Sequence, residues 1–166
     1  MATLEKSELD IALERLTPEW LAGFFDGEGC ISVVRRRGMP GLSVHLSQSE
    51  YNILVLIGMK YGADRMPYKH HDKKNWKTGW CLAFYGKSAM PFLEAIRDHV
   101  VLKRKLVEWG IEMAKLHGQA GGNRRNAKGR MDPAILARRE ELLVKIHEEN
   151  QSGRPKKSGA TAPSVQ

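Results

Sequence analysis

Apolar and polar residues recur along this chain with two different periods, and these periods predict its elements. Over 42–48 the apolar residues Leu42, Val44 and Leu46 take every second position, which is typical of a strand with one buried face. Over 101–117 they recur every three or four positions, which is typical of an amphipathic helix. The same reasoning predicts helices over 18–26, 50–61 and 89–98, and strands over 29–37, 64–70 and 77–85. Residues 5–15 have the pattern of a short amphipathic helix or a partly ordered arm.

These elements predict an α+β fold in the order helix, strand, strand, helix, strand, strand, helix, with a further helix after them. Strands joined by short turns pair antiparallel, so we expect a four-stranded antiparallel sheet with helices on one face. Local signals add detail. They predict a turn over 38–41, a cap from Ser88 on the helix that follows it, and Leu102 on the apolar stripe of helix 101–117.

The chain divides into a core and a C-terminal extension. Residues 1–117 contain all the elements above and form the expected core domain. The stretch 118–130 is rich in glycine and arginine, which indicates a flexible basic linker. A C-terminal helix is expected over 131–150, and 151–166 has the composition of a disordered basic tail.

Positive charge is concentrated in parts of the chain. The net charge is +8 over 166 residues. Residues 29–85 hold nine Lys and Arg against three Asp and Glu, and residues 118–166 hold ten against five. A basic sheet and a basic extension suit a polyanion, and nucleic acid is the first candidate. We expect the segment 118–157 to strengthen nucleic-acid binding through phosphates without setting the sequence that is read.

Composition also disfavours other classes of protein. No apolar run has the length of a membrane span, and the N-terminus lacks a basic region followed by an apolar stretch. We therefore expect an intracellular protein that is neither secreted nor inserted in a membrane. The cysteines, Cys30 and Cys81, are too few for a zinc site and fall in predicted strands, which favours small buried side chains in a reducing compartment.

The most distinctive segment runs from Leu21 to Gly29 and reads LAGFFDGEG. Thr17 can cap a helix here and Pro18 suits its first position, so we expect a helix that stops at Gly27 and leaves Glu28 just past its end. Gly23 and Gly27 are four residues apart, so they share a face that a second backbone can approach closely. A carboxylate at the end of such a helix can bind a divalent metal.

This segment closely resembles the LAGLIDADG motif, which names a family of homing endonucleases and intron-splicing maturases. The residue types, their order and the glycine spacing agree, and the residues after Gly29 read as the strand that follows the family's motif helix. The resemblance covers roughly residues 17–117 and implies an αββαββα core. It also implies a site-specific double-stranded DNA endonuclease that hydrolyses a phosphodiester at a long, near-palindromic site, using Mg²⁺ or another divalent cation.

The resemblance assigns roles to individual residues. Glu28 matches the acidic metal ligand of the motif, and the Gly27 carbonyl is the expected second ligand. Asp26 is expected to be structural. Gln48 matches a polar residue that orders water in the active site, and Lys103 matches a basic residue that stabilises the phosphate. We therefore expect Glu28, Gln48 and Lys103 to be the catalytic residues.

The motif occurs once, and single-motif members of this family act as homodimers. The resemblance therefore implies a homodimer that packs its motif helices together through Leu21, Gly23, Phe24 and Gly27. The sheet face without helices is expected to bind double-stranded DNA. Its candidate contacts are polar or basic: Ser32, Arg36, Ser43, His45, Ser47, Arg65, Lys69 and Lys77.

Two other functions on the same scaffold remain open. One is a maturase that binds intron RNA with the basic sheet, and the other is a DNA-binding protein that does not cleave. The carboxylate of Glu28 favours cleavage, because beside phosphates it would repel DNA unless a metal is bound. The expected biological role is to mobilise the protein's own intron or intervening element. An intein is not expected, because splice-junction cysteines are missing from the termini.

Overall fold

The computed structural model describes residues 7–71, 79–119 and 132–152. Helices and strands follow the predicted order along the chain. The helices are α1 (Glu8–Glu14), α2 (Pro18–Glu28), α3 (Tyr51–Tyr61), α4 (Met90–Ile96), α5 (Arg104–Gln119) and α6 (Pro133–Ser152). The strands are β1 (Gly29–Arg36), β2 (Met39–Gln48), β3 (Tyr68–His71) and β4 (Gly79–Tyr85).

The described strands form one antiparallel sheet in the order β1-β2-β4-β3. Its register pairs Ile31 with Val44 and Val44 with Phe84, so these apolar residues point to the same side. All three are fully buried. The prediction of an α+β fold with a four-stranded antiparallel sheet is confirmed.

The helices cover this apolar side of the sheet. Phe92 of α4 stacks on Phe84 with ring centroids 5.3 Å apart, and the edge of Phe25 from α2 meets Phe92 at 5.8 Å. All three rings are fully buried. The helical side therefore holds the core, and the opposite face of the sheet carries no helix from the described part of the chain.

The turn between β1 and β2 is tighter than the sequence suggested. A four-residue turn over 38–41 was expected, but β2 already begins at Met39. The two turn residues, Arg37 and Gly38, have φ values of 52° and 80°. Two successive residues at positive φ favour the type I′ geometry, whose twist matches that of the flanking strands. The strands therefore pair up to Arg36 and Met39.

Two helix starts also differ from the sequence prediction. Ser88 does not cap α4. Its hydroxyl contacts Asp64 and the carbonyl of Tyr85 and accepts from the Tyr85 N–H, and residues 86–89 form a 3₁₀ turn. α5 begins at Arg104 rather than near 101, and Leu102 is 79% exposed instead of lying on its apolar stripe.

The C-terminal helix packs on the core. Leu142 and Ile146 of α6 are buried within the same hydrophobic cluster as the sheet residues. Asn150 near its end donates to the carbonyl of Ile31 at 2.8 Å, so α6 runs beside the edge strand β1. No helix in the described ranges has the length and apolar character needed to cross a membrane.

Candidate active site and nucleic-acid interface

The motif helix α2 ends at the start of β1. The Thr17 hydroxyl accepts from the N–H of Trp20 at 3.3 Å, and Pro18 occupies the first turn, as predicted. The helix runs through Glu28 rather than stopping at Gly27, because the Gly29 N–H still donates to the Phe25 carbonyl. A Cβ at Gly29 would overlap the Phe25 ring, so only glycine fits where the helix turns into the strand. Glu28 is exposed at this junction.

Asp26 joins the end of α2 to the segment before α5. Its carboxylate accepts hydrogen bonds from the backbone N–H groups of Val101, Leu102 and Lys103 at 2.8, 3.1 and 3.0 Å. These three N–H groups lie before Arg104, the first residue of α5, so the carboxylate binds the segment that precedes the helix and holds it outside the helix. This contact explains why α5 begins later than its apolar pattern predicted.

Lys103 makes the reciprocal contact. Its ammonium group donates to the carbonyls of Phe25, Asp26 and Gly29 at 3.0, 2.7 and 2.7 Å. Positive charge is favourable at a helix C-terminus, where the last carbonyls lack partners within the helix. Burial lowers the pKa of Lys103, and the nearby charges of Asp26, Cys30 and Glu28 oppose that shift. The lysine contacts carbonyls on both sides of Gly27 but not that of Gly27 itself.

Gln48 lies at the same end of the sheet as Glu28. The register pairs Gly29 with Leu46, so the last residue of β2 is two positions beyond the first residue of β1. The amide oxygen of Gln48 accepts from the N–H and hydroxyl of Ser49 at 2.7 and 3.1 Å. With the oxygen engaged, the amide nitrogen is the group that can donate to a water or phosphate.

The outer surface of α2 is open in the single chain. A Cβ added at Gly23 or Gly27 would meet nothing within 4 Å. Phe24 is half-buried and stacks on Trp20, with ring centroids 5.2 Å apart. Leu21, in contrast, is fully buried in the chain's own core and does not belong to this surface, which corrects its predicted place in an interface.

Exposed apolar residues extend this surface. Trp20 is 44% exposed on α2, and Val101 and Leu102, which Asp26 holds by their backbone, are 76% and 79% exposed. None of these three residues was predicted to belong to an interface. We call Trp20, Gly23, Phe24, Gly27, Val101 and Leu102 the α2 surface.

The face of the sheet opposite the core holds most of the predicted DNA contacts. According to the register, five of these residues point to this face: Ser32, Arg36, Ser43, His45 and Ser47. Ser43 is nevertheless 1% exposed, and its hydroxyl lies 2.5 Å from Nε2 of His45. Arg36 lies over the ring of Tyr85, 4.3 Å from the centroid. Of these five residues, Arg36 is the one with a permanent positive charge.

Of the other three predicted basic contacts, one points to the helical side, one lies in a loop and one falls outside the described residues. Lys69 pairs with Trp80, which points to the helical side, so the register places Lys69 on the wrong face. Its strand also has a register shift between Lys69 and His71. Arg65 lies in the loop before β3, because the strand begins at Tyr68 and not near 64. Lys77 lies outside the described residues.

Aromatic residues on this face were missed. The ring of Tyr85 packs under the guanidinium group of Arg36. The pKa of Tyr68 is raised mainly by burial and also by the hydrogen bond of Tyr68 with Cys81. His45 connects to the same group through its Nδ1 atom, 3.4 Å from the Cys81 sulfur. Strict alternation from Cys81 through Ala83 to Tyr85 could have placed Tyr85 on this face, but an aromatic residue in a strand is most often part of a core. The position of Tyr68 depends on its pairing with Cys81, which the sequence does not reveal.

A single chain offers few metal ligands. The donors at the end of α2 are the Glu28 carboxylate and the Gly27 carbonyl, both oxygen atoms of the kind that Mg²⁺ prefers. Among the described residues, no group of three His, Cys, Asp or Glu side chains is placed to hold a metal ion.

The sequence matches no protein-family model and no curated protein. Solved structures do match. The homing endonuclease I-CvuI, in complex with its target, is 23% identical, with a TM-score of 0.58 over 84% of this chain and 83% of that one. The archaeal intron-encoded homing endonuclease I-Vdi141I, complexed with DNA, is 18% identical, with a TM-score of 0.60 over 86% and 89%.

A third match is to part of a larger protein. The LAGLIDADG meganuclease I-AabMI, bound to uncleaved DNA, is 18% identical, with a TM-score of 0.52 over 79% of this chain but 43% of that one. At these identities the likeness concerns the fold. The chain therefore has the fold of the LAGLIDADG homing endonucleases.

Proposed function

We propose that this protein is a site-specific double-stranded DNA endonuclease of the LAGLIDADG homing type. The observation that carries the proposal is the arrangement at the end of α2. Glu28 is exposed at a helix end that Asp26 and Lys103 hold through six hydrogen bonds to backbone groups. Metal-dependent hydrolysis requires a carboxylate at a defined position, and these bonds fix the backbone that carries Glu28.

The residues present fit a divalent cation such as Mg²⁺. Glu28 and the carbonyl of Gly27 would hold it, and the C-terminal end of a helix adds partial negative charge at that position. The bound cation would supply an activated water and stabilise the charge on the phosphate. Lys103 keeps the end of α2 in place, and Gln48 orients water through its amide nitrogen. In this arrangement Lys103 positions the metal ligands, since its three donors are bound to carbonyls.

We further propose that two copies assemble through the α2 surface. Two facing glycines allow the backbones of two helices to approach closely, and Trp20, Val101 and Leu102 would be covered. The second copy supplies the second Glu28, so the site would contain two carboxylates. The match to 43% of I-AabMI fits one half of a larger arrangement. A dimer with two-fold symmetry would read a near-palindromic DNA site.

The helix-free face of each sheet would lie against DNA, with Arg36 as the leading base contact. Arginine is the side chain that most often reads guanine in the major groove, because its planar group donates two parallel hydrogen bonds. Ser32 and Ser47 are further contacts on this face. Ser43 and His45 bond to each other and would shape the surface more than read it.

The proposal can be tested by incubating the purified full chain and Mg²⁺ with a pool of randomised DNA duplexes and sequencing the cut ends. We expect cleavage at one near-palindromic sequence. Glu28→Gln should bind that sequence and leave it intact, because the substitution removes the charge and keeps the shape. Glu19→Gln, on the first turn of the same helix, is the matched control and should still cleave. Cleavage by Glu28→Gln at the wild-type rate, or no selected sequence at all, would contradict the proposal.

A further inference from the structure

Near the turn of the β1–β2 hairpin, helix α6 contacts one pair of facing residues. Arg35 and Pro40 face each other across the hairpin, two residues from its turn. Consecutive residues of α6 contact them: Glu140 binds the side chain of Arg35, and Arg139 donates to the carbonyl of Pro40. These contacts join positions about 100 residues apart in the chain. We call Arg139 and Glu140 the hairpin brace.

The outer contact of the brace is a bidentate ion pair. Both Nη atoms of Arg35 donate to the Glu140 carboxylate at 2.6 Å. The two side chains are 52% and 37% exposed, so water screens the pair. The Arg35 guanidinium holds the pKa of Glu140 below its usual value. A paired, planar contact of this kind fixes orientation as well as distance.

The inner contact is a buried arginine. Arg139 is 3% exposed, and its Nη2 atom reaches both the Pro40 carbonyl and Nε2 of His117, the latter at 3.0 Å. Burial, and then the charge of Arg139, lowers the pKa of His117 to about 4. The imidazole is therefore neutral near pH 7 and can accept from Arg139. A buried guanidinium bound to a backbone carbonyl is costly to displace, which makes this contact the firmer of the two.

The pleat of β1 carries the effect of the brace to the opposite face. Arg35 points toward α6, so the next residue, Arg36, points to the helix-free face, where it lies over Tyr85. The I′ turn at Arg37 and Gly38 joins the strands without a long loop. If Arg35 and Pro40 change their orientation relative to α6, Arg36 must therefore move as well.

We infer that the hairpin brace sets the position of Arg36 against DNA, so that Arg139 and Glu140 determine base selectivity without touching a base. This inference rests on the proposed function and deepens it. Arg139 and Glu140 are positioning residues, and the base contact is made by Arg36. The sequence had suggested that the region after residue 117 adds affinity without influencing the sequence read. The contacts of α6 point to the opposite role for this helix.

The test compares base preferences across the selected DNA site. Arg36→Ala identifies which base pairs the hairpin reads. Glu140→Gln should lose discrimination at those same pairs by about two-fold, because the loss cannot exceed what one exposed ion pair contributes to the position of the hairpin. Discrimination at other positions should stay as in the wild type. Glu141→Gln is the matched control, because Glu141 neighbours Glu140 and pairs with Arg138 and Lys145 of the same helix.

A charge exchange separates positioning from a general loss of stability. Arg35→Glu alone should lose selectivity, and the double variant Arg35→Glu with Glu140→Arg should regain it, since the ion pair is restored in reverse. Amide hydrogen exchange on the free protein gives a readout without DNA. Glu140→Gln should speed exchange over 33–41 by about two-fold, the effect expected for losing one exposed ion pair.

The outcomes distinguish this inference from the proposed function. Suppose that the wild type cleaves a specific sequence and that Glu140→Gln has the same base preferences as Glu141→Gln. This result would overturn the role of the hairpin brace and leave the proposed endonuclease function standing. A loss spread evenly over all base pairs would overturn it as well. Faster exchange over 33–41 in a protein that selects no DNA would instead overturn the endonuclease, and with it any role of α6 in reading bases.

Discussion

Strand β1 is held differently at its two ends. At Gly29 it follows the end of α2, where main-chain atoms are bound, whereas near its last residue, Arg36, it is held by side chains of α6. Six hydrogen bonds between Asp26, Lys103 and main-chain atoms fix the first end. The pair Arg35–Glu140 and the contact from Arg139 to Pro40 fix the second. The two ends are about 25 Å apart for a strand of this length.

The difference matches what each end would do. A metal ligand must be held within a fraction of an ångström, and the bonds from Asp26 and Lys103 to main-chain atoms fix the backbone at this end, whatever side chains the bonded residues carry. A surface that reads DNA must suit one particular sequence, so contacts between side chains, which substitutions can change, serve it better. Strand β1 thus joins two ends of different kinds. We call its rigid Gly29 end, beside Glu28, the chemical end, and its adjustable Arg36 end, which would lie against DNA, the reading end.

The largest expected effect is a dependence of folding stability on pH that arises near the Arg36 end of β1. His117 has a pKa of about 4 in the folded chain against 6.5 when unfolded, so protonation favours unfolding. The stabilisation is complete above pH 6.5 and is lost as the pH falls toward 4, by about 3 kcal/mol in total. Urea unfolding at pH 7 and pH 5 should show about 2 kcal/mol of that loss.

Substitution of the histidine should remove this pH dependence. His117→Gln should have a free energy of unfolding that changes less between pH 7 and pH 5 than that of the wild type. His99→Gln is the matched control, because His99 lies near Glu19 and away from α6. If the free energy of unfolding changes with pH by the same amount in the wild type and in His117→Gln, then His117 does not stay neutral in the folded chain.

The next effect concerns the chemical end. Asp26→Ala removes the acceptor of three backbone N–H groups and should lower the free energy of unfolding by about 2 kcal/mol. Asp98→Ala removes an exposed carboxylate that pairs with its neighbour Arg97 and should change it by less than about 0.5 kcal/mol. Equal losses in urea unfolding would mean that Asp26 does not hold this end.

The smallest effect concerns assembly. Gly23→Leu places a large side chain on the α2 surface and should raise the dimer dissociation constant about tenfold, a cost of roughly 1.4 kcal/mol. Val144→Leu, at an exposed apolar position on α6, should leave it unchanged. Sedimentation equilibrium measures both. A wild type that sediments as a monomer, free and on DNA, would contradict assembly through this surface.

The sequence predicted the core side of the molecule well, for physical reasons that act locally. Alternation over β2 and the end of the helix predicted over 50–61 depend on neighbouring residues only, since Gly62, with a φ of 69°, directly follows that helix. The position of Glu28 was predictable to within one residue, since the glycines around it leave few alternatives.

The rest depended on contacts between distant parts of the chain. Asp26 binds N–H groups 75 to 77 residues away, which delays α5 and exposes Leu102. Lys69 changes face because β3 has a register shift, and a shift of one residue reverses which side a side chain takes. The contacts of Arg139 and Glu140 with the hairpin have no local signature, because periodicity reports faces and not partners.

The measurement that tests this account most directly compares Glu28→Gln with Arg36→Ala on the selected DNA site in Mg²⁺. Glu28→Gln should keep wild-type base preferences in binding and lose cleavage. Arg36→Ala should keep the cleavage rate at saturating DNA and lose discrimination at the base pairs under the hairpin. If Glu28→Gln cleaves like the wild type, or if both variants lose cleavage and selectivity together, the division of β1 into a chemical end and a reading end is wrong.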